Sequence, residues 1–198
     1  MGVTVTKDLT ASVLANIHKL VEQDVLVGIP ESNDERRDDQ GITNAALGYL
    51  HTHGGTILIP AHAQTIYRKV DINGDFARGG RFVKAADSNF ATTHHVDAYT
   101  VTLPPRPFLK PGIIKARDKI NAQMRAAAMA AVNGKPAQIQ EAMVKAGIVA
   151  VDGVKSIFTD GSLTPLAPST IRQKGGKDNP LLLTGQLRDA NTYVIREK

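Results

Sequence analysis

Residues 113–159, IIKARDKINAQMRAAAMAAVNGKPAQIQEAMVKAGIVAVDGVKSIFT, decide the fold class. In the first half, Ile113, Ile120, Met124, Ala127, Ala128 and Ala131 recur at helical steps, which predicts one long helix from 113 to about 132. Its alanine-rich second half favours helix and lets a neighbouring element approach closely. Asn133-Gly134-Lys135-Pro136 breaks the pattern, and a second helix follows from 137 to about 159. Ile139, Met143, Ala146, Ala150, Val154 and Ile157 form its inward face, and Gly147 and Gly153 either bend it or permit a tight contact.

Upstream of this helix pair the pattern changes. Leu9, Val13, Ile17, Leu20 and Val21 make an amphipathic helix over 8–21, and the β-branched run 25–29 reads as a strand stopped by Pro30. Residues 31–40 form a polar loop of both charge signs. A short helix at 44–50 ends at Gly54-Gly55, followed by a strand at 56–60. Asn73-Gly74 is the strongest short hairpin signal in the chain, so a strand over 65–72 is predicted to pair with one from about 76 to 84. A return strand over 99–103 is closed by Pro104-Pro105-Arg106-Pro107, and a last strand occupies 192–195. The prediction is an α+β fold in a single domain, 1–198. A small, mostly antiparallel sheet is packed by two long helices and an N-terminal helix. An inserted β-hairpin arm (65–98) and an extended C-terminal arm (160–191) complete it.

Composition narrows the function. With 42% hydrophobic and 22% charged residues the chain is globular in type, and with 5% aromatics and no Trp it lacks platforms for stacking single-stranded bases. The absence of cysteine excludes disulfides and thiolate metal sites. No apolar run approaches the ~20 residues of a membrane span, so a soluble, unexported chain with no membrane contact is expected. The net charge of +5 is uneven: residues 1–105 carry 9 Lys/Arg against 12 Asp/Glu, and residues 106–198 carry 15 against 7. Such a basic half suits either DNA or an acidic protein partner.

No catalytic constellation emerges, and neither a cofactor nor a metal is expected. His51 and His53 share a face only in an extended segment, His94 and His95 point apart, His62 stands alone, and no HExxH is present. Asp71-Ile72-Asn73-Gly74-Asp75 begins like a calcium loop, but Phe76 replaces its glycine and Phe82 its final glutamate, so a hairpin turn is the better reading. Gly175-Gly176-Lys177 lacks the first glycine and the following Ser or Thr of a phosphate loop. The cations around it, Arg172, Lys174, Lys177 and Arg188, favour a protein partner over nucleic acid because no aromatics interleave them.

Three groups of residues carry a resemblance. They are the order helix, strand, short helix, Gly-Gly and strand ending in Ile59-Pro60; Pro104-Pro105-Arg106-Pro107-Phe108-Leu109-Lys110-Pro111 before a long helix; and the closing Leu166-Ala167-Pro168-Ser169-Thr170-Ile171, Lys174-Gly175, Pro180-Leu181 and Thr184-Gly185-Gln186-Leu187. Together they resemble the tailed-bacteriophage virion morphogenesis family of neck, tail-completion and minor tail components, with 31–40 and 65–98 as insertions. The resemblance implies a non-enzymatic structural protein of the virion, assembled in the host bacterial cytoplasm. It further implies a homo-oligomeric ring, hexamer or dodecamer, at the head-tail junction, acting as neck or collar, tail completion or tail terminator. Its implied partners are further copies of itself, head connector or portal-side proteins, and tail tube or terminator proteins, with non-specific contact to DNA in the channel. The alternative is a basic DNA-binding accessory protein of a phage or prophage.

Within that reading, the prolines stiffen an extended segment that would hold Phe108 as a hydrophobic peg. The expected subunit interface is Pro105, Arg106, Pro107, Phe108, Leu109, Leu181, Leu182, Leu183 and Leu187. The hairpin tip, Asn73, Gly74, Asp75, Arg78 and Arg81, is expected to reach another virion protein. Residues 163–190 are expected to dock on a neighbour and to be dispensable for folding of the helices.

Overall fold

A computed structural model describes residues 8–36 and 41–198, apart from the side chain of Arg78. The fold is α+β. It comprises helices α1 (Thr10–Val21), α2 (Asn44–His53), α3 (Leu109–Val132), α4 (Pro136–Ile157), α5 (Pro168–Gln173) and α6 (Gln186–Asp189). The strands are β1 (Gln23–Gly28), β2 (Gly55–Ile59), β3 (His62–Arg68), β4 (Phe90–Val96), β5 (Tyr99–Leu103) and β6 (Thr192–Glu197). Residues 37–40 of the polar loop lie outside the described residues, and 31–33 form a 3-10 turn. Among the described residues, no helix is long and apolar enough to cross a membrane.

The chain forms two compact units where one domain with an arm at 65–98 is predicted. One unit combines the residues up to Gly54 with Pro104–Lys198, and the other is Gly55–Leu103. Instead of one sheet, the described residues form three antiparallel two-stranded ladders, β1–β6, β2–β5 and β3–β4.

In the first unit, α3 and α4 form the predicted helix pair. Pro136 opens α4 at a position where its missing N–H costs nothing, and Gly134, at φ +67°, closes α3. All six residues expected inward on α4 are buried. The α3 face is different: Gly112, Ala116, Ala127, Ala130 and Ala131 are buried, whereas Ile113, Met124 and Ala128 are exposed. The helices approach so closely that only small side chains fit between them. A Cβ on Gly112 would lie 2.4 Å from Val154 Cα, and one on Gly153 would lie 2.6 Å from Gly112 O. Gly153 is thus a contact glycine. Gly147 is one too, since its Cβ would meet the Tyr193 ring at 2.4 Å.

The first and last strands close this unit, from Gln23 opposite Glu197 to Gly28 opposite Thr192. One face of the ladder carries Val25, Val27, Tyr193 and Ile195 and packs on the helix pair; Leu26 and Val194 on the other face are exposed. Helix α1 buries no residue fully; Leu20 packs at its edge, while Leu9, Leu14, Ile17 and Val21 face outward.

The C-terminal stretch 160–191 is not an extended arm. Leu163 and Leu187 belong to the same buried cluster as Phe108, Val154, Ile157 and Phe158, and Leu181 packs against it. Glycines at φ +66° (Gly175), +88° (Gly176) and +86° (Gly185) turn the chain back onto its own core. Lys115 Nζ donates to Asp160 Oδ2 at 2.7 Å, tying the start of this stretch to α3; that bond, with those from Ser162, lowers the Asp160 pKa to about 2. Removing 163–190 would therefore open the core, contrary to the expectation that the helices fold without it.

The second unit corrects the hairpin. β3 pairs with β4, Ile66 opposite Thr92, and the predicted partner at 76–84 contributes a bridge, Val70 to Phe76, and the hydrogen bonds Ala77 N–H to Lys69 O and Val83 N–H to Tyr67 O. The Asn89 side chain accepts from Val70 N–H and donates to Val70 O, both at 2.7 Å, which ends the ladder there. Gly79 and Gly80, at φ +66° and +77°, turn the chain away, and 77–80 and 85–87 form 3-10 turns. Local turn chemistry is present at Asn73-Gly74, but strand pairing is won by the longer Thr- and His-rich ladder.

Candidate functional site

Residues from three separate stretches of the first unit meet at the end of α2. Thr43 caps α2 by accepting from Ala46 N–H at 3.2 Å, and Gly54, at φ +67°, terminates it. Gly48, in its middle, faces the ring of Phe108; a Cβ there would lie 3.3 Å from Phe108 Cζ, 3.5 Å from Ile29 and 3.7 Å from Leu187. Phe108 is 0% exposed and packs against the Phe158 ring in a tilted pair, with 4.9 Å between centroids.

Arg106 is the second anchor. Its backbone N–H donates to His51 O at 2.6 Å. Its side chain, 5% exposed, donates from Nε to Thr164 O at 2.8 Å and from Nη2 to Pro165 O at 3.0 Å. In return Thr164 Oγ1 donates to Pro105 O at 3.2 Å. The flanking prolines hold the segment extended, so the guanidinium reaches both carbonyls with little loss of freedom. Burial pulls its pKa below the ordinary arginine value, but two carbonyl acceptors keep the cation solvated by protein dipoles.

These contacts revise the expected interface. Arg106, Phe108 and Leu187 are buried inside their own chain and are not available to a neighbour. The peg fills its own core because the rigid proline segment points it inward, against α2 and α4. Leu109, Leu181 and Leu182 are half-buried, whereas Pro105 and Pro107 remain at the surface and Leu183 is 59% exposed.

Beside this joint lies a cleft of about 230 Å³, walled by Leu47, Leu166, Leu181, Leu182, Leu183 and Leu187. Arg36, His51, Lys174, Thr184 and Gln186 also line it, and among the described residues no carboxylate does. Leu181 holds φ +58°, a conformation that side-chain-bearing residues rarely adopt, so its place in the wall is set against backbone strain. Lys174 Nζ donates to Asn179 O at 2.6 Å; burial first, then the charges of Lys177 and Arg106, lower its pKa, against the opposing pull of Asp178. His51 Nδ1 is buried with no hydrogen-bond partner. Burial and then the Arg106 charge depress the His51 pKa from its ordinary 6.5, favouring the neutral ring.

This has a consequence for stability. Below pH 6.5 the unfolded chain binds a proton at His51 that the folded chain refuses until its lower pKa is reached. Stability is therefore full above that value and falls as pH drops through the window. Thermal melts at about pH 7.5 and about pH 5 are expected to differ less for His51→Leu than for the unaltered chain. An identical pH dependence in both chains would contradict this.

The hairpin-tip residues lie in the second unit. Asn73, Gly74, Asp75 and Arg81 are exposed, and the Arg78 side chain is outside the described residues. Immediately before them is a residue missed at the sequence level: Ile72, 101% exposed. Its signal was legible, because a β-branched aliphatic between Asp71 and Asn73 is poor turn chemistry. The histidines stay scattered: His62 Nδ1 lies 3.0 Å from Pro60 O, His94 Nε2 3.1 Å from Thr92 Oγ1, and His95 3.7 Å from Asp97. Among the described residues no three His, Cys, Asp or Glu side chains gather as a metal site would need. No protein-family model, curated protein or solved structure matches the chain.

Proposed function

We propose that the chain is a structural virion protein of a tailed phage, forming a homo-oligomeric ring at the head-tail junction and joining the head connector to the tail. It works through contacts and not through catalysis. The observation that carries this reading is the β2–β5 ribbon. Ile57 lies opposite Val101 and Ile59 opposite Tyr99, so one face of five-residue strands is wholly apolar. Ile57, Tyr99 and Val101 on that face are exposed. A two-stranded ladder is marginal by itself in water, and an apolar face with open edges calls for a protein partner. The outward residues of α1 add to the same demand. Further support comes from the segments that carry the phage resemblance: Gly48, Phe108 and Leu187 meet in one joint, as parts of a common scaffold would.

Native mass measurement and negative-stain imaging of the full chain test this. A closed ring of one defined subunit number is expected, six or twelve from the resemblance; a chain that stays monomeric at tens of micromolar contradicts it. A second reading, DNA binding, draws on α3, where Lys110, Lys115, Arg117, Lys119 and Arg125 face a single acid, Asp118. Duplex binding that weakens steeply with salt, by a chain that forms no ring, would favour that reading.

A further inference from the structure

Residues 76–84, FARGGRFVK, interleave cations with phenylalanines around a pair of glycines. Three of the five phenylalanines, Phe76, Phe82 and Phe90, fall in the second unit, so a low aromatic content overall hides a local concentration. Ala77 N–H donates to Lys69 O at 2.9 Å and Val83 N–H to Tyr67 O at 3.0 Å, which pins both ends of the loop beside the end of β3. Gly79 and Gly80, both in the left-handed region, let the chain reverse between those two points. The Arg68 guanidinium lies over the Phe76 ring at 5.1 Å and over the Phe82 ring at 5.5 Å, and Phe76 meets Phe90 edge to face at 5.6 Å.

This packing leaves the aromatics open to solvent. Phe82 is 68% exposed, Phe76 45% and Phe90 39%. Beside Phe82 is a hollow of about 560 Å³, lined also by Lys69, Val83, Lys84 and Asp87, inside the ~300–1,000 Å³ range of small-molecule pockets. Over residues 68–84 the cations Arg68, Lys69, Arg78, Arg81 and Lys84 stand against Asp71 and Asp75. Among the described residues no carboxylate forms an ion pair with Arg68, Lys69, Arg81 or Lys84. Arg68 Nε is buried with no hydrogen-bond partner. Asp71 is engaged within its own turn, where Oδ1 accepts from Asn73 and Asp75 N–H. Cations without partners around an exposed ring suit an anion that also carries a flat apolar face. A nucleotide supplies both in one unit.

We propose that this surface binds single-stranded nucleic acid, with a base stacking on Phe82 while Lys69 and Lys84 meet the adjoining phosphates. A duplex does not serve, because its bases already stack on one another. Stacking and phosphate contact do not read the sugar, so DNA and RNA strands bind alike. None of the α3 cations takes part. The surface goes beyond the assembly reading and serves a single chain or a ring alike.

Fluorescence anisotropy of the full chain with labelled oligo-dT and oligo-rU tests it, at about fifteen nucleotides and about 50 mM salt. A micromolar Kd is expected for both strands. Phe82→Ala should weaken binding roughly five- to a hundredfold, and Phe82→Tyr should retain it. Lys69→Ala combined with Lys84→Ala should lower the slope of log affinity against log salt by about 1.4, for two phosphates lost. Lys119→Ala combined with Arg125→Ala, on α3, should change neither quantity. The chain has no Trp, so Phe82→Trp adds a single reporter whose emission a stacked base should quench. No binding at tens of micromolar, equal affinity for a duplex of the same length, or full affinity in Phe82→Ala overturns the proposal. So do an unquenched Phe82→Trp in the bound state and binding of only one of the two strands. Ring formation is read separately by native mass, so a ring that binds no strand overturns this contact alone.

Discussion

Gly112→Ala is expected to be the most damaging single-methyl change in the first unit. In a helix, alanine is ordinarily better than glycine by roughly 0.5–1 kcal/mol, so propensity alone predicts a gain. The added Cβ would instead sit 2.4 Å from Val154 Cα, 2.7 Å from Val154 N and 2.9 Å from Gly153 O. All three are backbone atoms of α4, and no rotamer change relieves them. The helices must separate, and the Ala127, Ala130, Ala131 and Met143 contacts further along loosen with them. Overpacking of this kind costs about 3 kcal/mol or more, a large share of the ~5–15 kcal/mol that holds a domain folded. For a chain of this size that is a fall in Tm of roughly 6–12 °C. Gly28→Ala is the control, since its Cβ would meet nothing within 4 Å. A Tm for Gly112→Ala equal to or above that of the unaltered chain would show that α3 and α4 are not in backbone contact.

Phe108→Ala is expected to cost about 3–5 kcal/mol, the range for deleting a wholly buried aromatic. Phe108 touches the Phe158 ring and anchors the cluster of Val154, Ile157, Leu163 and Leu187. Its removal leaves a cavity between α2, α4 and the C-terminal stretch that three separate chain segments would have to collapse to fill. Denaturant unfolding reads the loss directly, and assembly should fail only because the subunit fails. A variant with unchanged stability that no longer assembles would return Phe108 to the surface role expected of it from sequence.

Much of the first unit was legible residue by residue. The six α4 residues expected inward are all buried because they recur at helical spacing and amphipathic period is a local property, while Ala142, Gly147 and Val151 are buried as well. The α3 face was misread for an equally physical reason. Burial there follows smallness, so Gly112 and Ala116 are inside while Ile113 and Met124 lie outside. Hydrophobicity ranks those residues in the wrong order. At the site, the proline-flanked segment was correctly singled out, but its direction was not. The rigidity of Pro104–Pro107 is written in the sequence; whether Phe108 then points into its own core or into a neighbour depends on α2 and Leu187, which lie far away in the chain. Likewise Asn73-Gly74 does make a turn, yet β3 pairs with β4 because a seven-residue register outweighs one bridge and two further hydrogen bonds.

The sequence by itself determined the α+β class, the helix pair with its break at Asn133–Pro136, the terminal strands and the charge asymmetry, all of which follow from short-range period, turn chemistry and composition. Only the tertiary structure decided which apolar residues are spent on the chain's own core. Phe108 meets Phe158, 50 residues away, and Gly48, 60 residues away, and Leu187 meets Gly48 across 139 residues, whereas Ile72 sits in a turn closed by four hydrogen bonds of its own. Burial is a long-range sum over packing partners, and a side chain's own identity supplies only one term of it.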